Sequence, residues 1–409
     1  MSSGPQGGQA QAEASRPALL VLVSMLYNDG ELLQASPSIV LLERKGKGSV
    51  SANNGKVRLA LPGKGALEAS TLSFLSECGM PVSRSNPRQY LARMKSISDV
   101  EVVFQRAADI PALVESGDAA LGITGYDILA EHRGYGDEEE EESDFNENLF
   151  VLERNLGFGA CRLVVAVPET WIDVSTCADL WHLSGYYQMH RGRGLRIATK
   201  YPILTAQFLR RYNITGCKIF SPHGALEAAP LTDTADLIVD LTETGTTLRE
   251  NHLKLLKDGV VLHSQATLIG NARLLKQNPP ALRVAETMLE LIEARTQARN
   301  RSMVTAYVHA GSDEEMQQIY ERMSQRLKSV VSGVEFRVTS SELSGSMEPG
   351  WYALSGVVNA GDSAPELLKI VAVLRGCGAA HIYVVPLTYR FADQCMNVRA
   401  LHERLRRIG

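Results

Sequence analysis

No Cys-x-x-Cys pair occurs in the chain, and its six cysteines, at 78, 161, 177, 217, 377 and 395, lie far apart. That spacing excludes the common structural zinc sites and a dense disulfide framework, and it fits a reducing compartment. Also missing is an apolar run able to span a bilayer, which takes about 20 residues; the run near the start, Ala18 to Leu26, is far shorter. No basic segment precedes that run and no clear small-residue cleavage site follows it, so neither a membrane span nor a secretory signal is expected. Positive charge is not in excess. Lys plus Arg number 42 against 46 Asp plus Glu, a net −4, and seven of the acids crowd into Asp137 to Asp144. The electrostatic footprint of a nucleic-acid binder is therefore lacking. The nine histidines show no metal-ligand spacing, and no GxSxG, HExxH or helix-opening GxGxxG is present. Gly48 to Val57 misses a P-loop in its spacing and in Val57, which stands where a magnesium-binding Ser or Thr is needed.

What remains is ordinary globular material: 409 residues, 44% hydrophobic and 22% charged, enough for roughly two or three domains. Residues 1–55 read as a disordered or poorly defined extension. Its first 17 residues are rich in Gly, Ser, Gln and Ala. A cytoplasmic protein is expected, with a plastid the alternative if that extension is a transit peptide. Regular structure begins at Lys56, with Val57 to Leu61 as a strand. Leu67, Thr71, Leu75 and Cys78 then recur at helical spacing before Gly79. Asp109-Ile110-Pro111 opens another helix, Ala119 to Ile123 is a buried strand, and Gly125 starts a helix. Leu195 to Thr199, Pro202 to Tyr212 and Cys217 to Phe220 form a further βαβ unit. Strands alternating with helices predict α/β lobes with parallel sheets. The acidic run and Leu183 to Gly194 (LSGYYQMHRGRG) read as solvated insertions. After a long helix carrying Leu282, Ala285, Met288, Leu289 and Ile292 on one face, the order from Asn300 becomes βαββαβ. That order is ferredoxin-like.

The segment from Ala235 to Leu248 (ADLIVDLTETGTTL) carries the most chemistry. Leu237 to Leu241 is a buried strand with Asp240 near its C-terminal end, Thr242 to Thr247 a hydroxyl-rich loop, and Leu248 to Leu256 an amphipathic helix. Such a junction aims backbone N–H groups at one point, Gly245 permits close approach, and threonine hydroxyls surround it; a monophosphate can be held there without a lysine. The simpler alternative is that Thr247 caps the helix.

This loop resembles the phosphoribosyl-pyrophosphate loop of the ATP phosphoribosyltransferase family, the first enzyme of histidine biosynthesis. Four more stretches match in order: Leu59 to Glu68 (LALPGKGALE), Leu121 to Leu129 (LGITGYDIL), Cys161 to Val167 with Arg196 to Pro202 (CRLVVAV, RIATKYP), and His223 to Pro230 (HGALEAAP). The similarity runs from about Lys56 to Gly409. It implies a two-lobed, periplasmic-binding-protein-like catalytic core plus a C-terminal ferredoxin-like (ACT-like) domain, the long form of the family. Lobe I is placed at 56–158 and 258–299, lobe II at 159–257, and the regulatory domain at 300–409. The implied reaction joins N1 of the ATP adenine to C1 of phosphoribosyl pyrophosphate, releases pyrophosphate and requires Mg²⁺. Positioning and electrostatics would dominate such a step, with no covalent nucleophile.

Roles follow by position. Glu243, Thr244, Gly245, Thr246, Thr247 and Leu248 would cradle the 5′-phosphate. Asp240 and Glu227 would accept hydrogen bonds from ribose hydroxyls or hold magnesium, with Asp240 the metal candidate. Lys64 would neutralise pyrophosphate or triphosphate, and Arg106 and Arg162 would add phosphate contacts. Asp127 would contact the adenine or ribose of ATP, and Tyr201 would pack on a base. Each has a duller alternative: Asp127 capping its helix, Glu227 paired with a lysine, the arginines as surface charge, Tyr201 as core. Histidine is the expected inhibitor, bound near Gly378, Ala379 and Ala380, though these small residues would also serve tight strand packing. A homohexamer in exchange with a dimer is implied as well. The rival from another class is a non-catalytic two-lobed sensor of a small anion or amino acid. A transferase acting on a free base is disfavoured, because Asp240 and Glu243 are not adjacent.

Overall fold

The computed structural model describes residues 56–407, apart from 85, 87–88, 135–147, 223, 331–334, 340–349 and 360–363. The N-terminal extension, the acidic run and His223 lie outside the described residues. Among the described residues no helix is long and apolar enough to cross a membrane.

The first lobe opens with β1 (Val57–Pro62), α1 (Ala66–Glu77), β2 (Val82–Ser83), β3 (Leu91–Met94) and β4 (Val100–Gln105). It continues through α2 (Ile110–Glu115), β5 (Leu121–Gly125), α3 (Tyr126–Arg133) and β6 (Leu149–Glu153). The second lobe follows with β7 (Cys161–Pro168), α4 (Cys177–Arg191), β8 (Arg196–Thr199), α5 (Pro202–Arg211) and β9 (Lys218–Phe220). It ends with β10 (Leu237–Thr242), α6 (Thr246–Glu250) and β11 (Leu253–Ser264). The chain then returns to the first lobe as β12 (Ala266–Asn271), α7 (Ala272–Gln277) and α8 (Pro279–Ala298). The first sheet has the order β2-β3-β4-β1-β5-β12-β6, and the second β11-β7-β10-β8-β9. β4, β1 and β5 run parallel, as do β10, β8 and β9; β12 lies antiparallel to β5, and β7 antiparallel to β10.

Two crossovers join the lobes, one between β6 and β7 and the other at Gln265. They are bonded to each other: Leu156 N–H donates to Ala266 O at 3.1 Å, and Ala266 N–H to Phe158 O at 3.0 Å. Beneath them one apolar cluster is continuous across both sheets, with Ala60, Ile110, Leu129 and Ile269 from the first lobe meeting Leu163, Val165, Ile197 and Val239 from the second. This is the two-lobed arrangement that the resemblance implied.

One local expectation is corrected and another is refined. The helix read over Leu248 to Leu256 is only one turn, α6, ending at Glu250. His252 then takes φ 55°, which breaks the helix, and Leu253 begins the long strand β11. The leucines at 248, 253 and 256 mimic helical spacing because β11 carries register shifts between Leu255 and Val260 and again before Leu262, which disturb strict alternation. The bulged Asp258 accepts the Cys177 N–H at 2.8 Å, where α4 begins. Leu183 to Gly194, read as a solvated insertion, is largely the second half of α4 and keeps the expected exposure at 185–186 and 188–192, with Ser184 and Tyr187 buried. Its basic cluster is anchored, since Arg193 forks onto Asp236 at 2.5 and 2.9 Å. Against the penalty of burial, Arg193 and Arg196 hold the Asp236 carboxyl below the usual carboxylate range.

The third sheet holds β13 (Arg301–His309), β14 (Glu335–Thr339), β15 (Trp351–Asn359) and β16 (Ala379–Pro386), with α9 (Asp313–Val330) and α10 (Ala364–Gly376) between them. Its order, β14-β15-β13-β16, and its antiparallel pairs are those of a ferredoxin-like βαββαβ unit. One further helix, α11 (Met396–Arg407), leaves this unit and packs on the first lobe. Leu401 and Leu405 are buried there with Met288 and Leu289 of α8. Glu293 of α8 accepts the Met396 and Asn397 N–H groups, and Arg404 reaches Val151 O at 2.7 Å. The ferredoxin-like unit is thus tied to the first lobe at both ends.

Leu401 is only 2% exposed. Leu401→Ala should therefore cost about 2–5 kcal/mol of stability. Hydrogen exchange in that variant should quicken in β6 and α8; quickening confined to β13–β16 would show that α11 belongs energetically to the other unit.

Candidate active site between the lobes

The contact between the lobes is built around Asp127, the second residue of α3, which is 4% exposed. Its Oδ1 accepts the Ser264 hydroxyl at 2.6 Å and its Oδ2 the Tyr201 hydroxyl at 2.6 Å, while its own N–H donates to Ser264 Oγ at 2.9 Å. Ser264 ends β11, and Tyr201 precedes α5, so this carboxylate of the first lobe is clasped by two segments of the second. Gly125 makes room for it: a Cβ there would lie 2.4 Å from Oδ1 and turn the carboxylate away. Asp127 does not cap α3, whose N-cap Gly125 makes no side-chain bond. Burial and the Asp127 carboxylate push the Tyr201 phenol far above its ordinary range.

Asp240 lies in β10, next to Leu241 and facing Val164 of β7 across the ladder. Burial raises its carboxyl above the ordinary value; the Leu241 N–H at 2.8 Å and the nearby Lys200 oppose that rise, and Glu227 adds to it. Tyr201 also feels Asp240. The loop after Asp240 turns on Gly245, whose φ of 78° suits glycine. Thr242 Oγ1 accepts the Gly245 N–H at 2.8 Å, and the Thr244 and Thr246 hydroxyls lie 2.9 Å apart. α6 has no side-chain cap, so Thr247 does not close it, and Leu248 anchors the turn in the core. Thr244, Thr246 and Thr247 are exposed, as is Glu243. Arg162 of β7 pairs in register with Thr242, beside the loop, and no ion pair engages it among the described residues. Such a surface can receive a phosphoryl group through N–H and hydroxyl donors with a guanidinium at its flank.

Cys161, in register with Ser264, sits within the same field. Burial, then Asp127 and Glu243, push its thiol up to about 11 despite a bond from Ser264. Asp127, Tyr201, Asp240, Glu227, Glu243 and Arg162 thus gather in one region. Lys64 and Arg106 stand apart on the first lobe. Pro62 and Gln105 are register partners, so the two cations leave β1 and β4 side by side, both exposed and without ion pairs among the described residues. They lie at the C-terminal ends of parallel strands, the edge where α/β sheets receive ligands. Ala379 and Ala380 begin β16 of the third sheet, and Gly378 is the turn residue before it. Gly378 has φ 101° with open space beside it, and Ala379 pairs with Val308. Among the described residues no group of three or more His, Cys, Asp or Glu is placed to hold a metal ion.

Sequence reasoning missed Lys200, Ser264, Cys161 and Glu131. Lys200 follows Thr199, whose register partner is Val239, and so emerges beside Asp240. The signal was available in RIATKYP, where a cation follows a buried strand. Ser264 and Cys161 carried no such signal, because their meaning depends on strand register.

The profile of the ATP phosphoribosyltransferase family matches residues 106–296. The chain is 34% identical over 371 residues to ATP phosphoribosyltransferase 1, chloroplastic, of Arabidopsis thaliana, covering 90% of this chain and 84% of that relative. It is 42% identical over 219 residues to ATP phosphoribosyltransferase of Brucella melitensis, covering 53% of this chain and 90% of that relative. Among solved structures, a chain of the ATP phosphoribosyl transferase (HisG:HisZ) complex from Thermotoga maritima aligns at 26% identity and a TM-score of 0.41, covering 58% of this chain and 98% of that chain.

With its thiol pushed up to about 11, Cys161 should resist alkylation near neutral pH. Its iodoacetamide labelling, followed by peptide mass spectrometry, should climb about tenfold per pH unit between about 7 and 10. A plateau by about pH 9 would contradict the burial and negative field described for it.

Proposed function

The chain belongs to the ATP phosphoribosyltransferase family, and we propose that the cleft between its two lobes carries out that family's reaction. It is a transferase of histidine biosynthesis, and a sensor without activity is not favoured. The observation that carries the assignment of the site is the strand–loop–turn from Leu237 to Leu248. There a half-buried carboxylate short of partners adjoins an uncapped, hydroxyl-lined loop.

In this reading Glu243, Thr244, Gly245, Thr246, Thr247 and Leu248 receive the 5′-phosphate of phosphoribosyl pyrophosphate, and Arg162 contributes from β7. Asp240 and Glu227 accept hydrogen bonds from the ribose hydroxyls. This relieves the desolvation that now raises the Asp240 carboxyl. Lys64 and Arg106 face the polyphosphate charge from the first lobe. The lone pair of adenine N1 forms the bond to C1 of the ribose as the C1–O bond breaks, and pyrophosphate leaves with the electron pair. Positive charge grows on the ribose and negative charge on the leaving group, so fixed dipoles and cations lower the barrier without a covalent intermediate. Asp127 and Tyr201 already bond each other, so their contribution is to hold the lobes in register for ATP, with remaining acceptor capacity on Asp127 for the nucleoside. The Tyr201 hydroxyl is committed to Asp127, which fixes where the ring stands to pack on a base.

ATP-using phosphoribosyltransferases work with a divalent metal, and Mg²⁺ is the ion proposed here. A single carboxylate such as Asp240 fits an ion that arrives complexed to the substrate's phosphates, since Mg²⁺ keeps several waters and needs only one or two carboxylates. There it would neutralise charge on the departing pyrophosphate, with Asp240 as the protein ligand. Histidine is proposed to inhibit through the third sheet around Gly378, Ala379 and Ala380, and a homohexamer in exchange with a dimer is proposed as the assembly.

The full chain should form phosphoribosyl-ATP from ATP and phosphoribosyl pyrophosphate with Mg²⁺ and pyrophosphatase present, followed by ultraviolet absorbance. Asp240→Asn should lower kcat by about a hundredfold or more while the fold survives. Near-normal turnover in that variant would remove Asp240 from the mechanism. Added histidine should suppress the wild-type rate; an unaffected rate would leave the third sheet without its proposed role.

A further inference from the structure

Glu131 lies one helical turn beyond Asp127 on α3, so both carboxylates project from the same side of the helix. Its two oxygens are both used across the lobe boundary: Oε1 accepts the Ile203 N–H at 2.8 Å and Oε2 the Leu204 N–H at 2.9 Å. These are first-turn amides of α5, a ten-residue helix of the second lobe. The residue at its N-cap position is Tyr201, which makes no side-chain cap bond. The cap that a local Ser, Thr or Asp would ordinarily supply thus comes from the opposite lobe. The charge is matched as well, a carboxylate against the positive end of a helix. Burial nonetheless pushes the Glu131 carboxyl up, and the two amides only partly offset that. Gln207, farther along α5, donates to Gly134 O just past the end of α3 and extends the contact.

What this cap seats is the corner between β8 and α5. Thr199 Oγ1 accepts the Tyr201 N–H at 3.0 Å, Tyr201 donates to Asp127, and Lys200 stands exposed between them, beside Asp240. Three of the anchors of this corner are side-chain acceptors, and two of them come from one face of α3.

We propose that Glu131 is a positioning residue for phosphoribosyl transfer: by capping α5 from the first lobe it fixes the Lys200–Tyr201 corner relative to Asp240. The proposal rests on the cleft being the transferase site. Glu131 touches no substrate in this account and acts through the corner. Its effect belongs to the step that needs both lobes in register, not to capture of the ribose phosphate by the loop at Thr242 to Thr247.

The test uses the full chain with Glu131→Gln, and separately Ile203→Pro, which leaves Glu131 intact but deletes one of its two donors. Each should lower kcat by about ten- to a hundredfold. The KM for phosphoribosyl pyrophosphate should stay within about twofold of wild type, and the double variant should be no slower than the worse single one. Rates are read well below each variant's unfolding midpoint, so that loss of folded protein does not enter. A lowered midpoint with kcat unchanged in both variants would reduce Glu131 to a stabilising cap and overturn the proposal. A raised KM with kcat intact would overturn it too, because the contact would then serve binding alone. Should Glu131→Gln fail to fold, Ile203→Pro decides on the same criteria. Wild-type protein that makes no phosphoribosyl-ATP would sink the transferase reading itself, whereas active wild type with fully active variants would sink only the role of Glu131.

Discussion

The Asp127 carboxylate is the contact on which the rest of the cleft depends. A buried carboxylate is tolerated only when its oxygens are bonded, and here one oxygen takes the Ser264 hydroxyl and the other the Tyr201 hydroxyl. Those donors belong to different strands' ends in the second lobe, so satisfying one charge fixes three segments at once. The apolar cluster beneath them runs unbroken from Ile110 and Leu129 to Leu163 and Val239. The polar clasp therefore sits over a shared core, and the lobes are joined by more than their two crossovers. Where a looser two-lobed protein would rely on its hinge, this chain adds a desolvated hydrogen-bond network.

Asp240 is the opposite case. Burial pushes its carboxyl up, and within the chain it has one backbone N–H and the field of Lys200 to offset the cost, while Glu227 makes matters worse. A carboxylate left in that condition interacts strongly with hydroxyls or a cation supplied from outside. Asp127 has both oxygens bonded across the lobes, whereas Asp240 has a single backbone N–H within the chain. The neighbouring loop follows the same logic: Leu248 is buried and holds the turn, while Thr244, Thr246 and Thr247 keep their hydroxyls at the surface.

The ferredoxin-like unit relates to the lobes through its two ends. α8 leads into it and α11 leads out, and both pack in the first lobe's core. α11 then reaches β6, the strand before the first crossover, through Arg404 and through Asn397 on Glu153. The third sheet is therefore followed by packed side-chain contacts as well as by the covalent link.

Local pattern by itself determined much of this protein. The strand from Leu237, the threonine-rich loop, the alternation of strands and helices, and the βαββαβ order after Asn300 were all legible, because period and turn chemistry are properties of neighbouring residues. The grouping of Asp240, Glu243 and the threonines needed nothing beyond their adjacency in the chain. Tertiary structure alone decided the remainder. Leu253 to Leu256 looked helical until pairing with β7 claimed them as a bulged strand, since a ladder of partners outweighs a weak local preference. The second half of α4 is as solvent-facing at 185–186 and 188–192 as its polarity implied, but only the fold showed that Arg193, just past its end, pairs with Asp236 far along the chain. Tyr201 was readable as a base-packing ring or as core, and Glu131 carried no local signal at all. Their meaning came from the hydroxyl and the two amides that faced them, and only the docking of α3 against α5 brought those partners within hydrogen-bond distance.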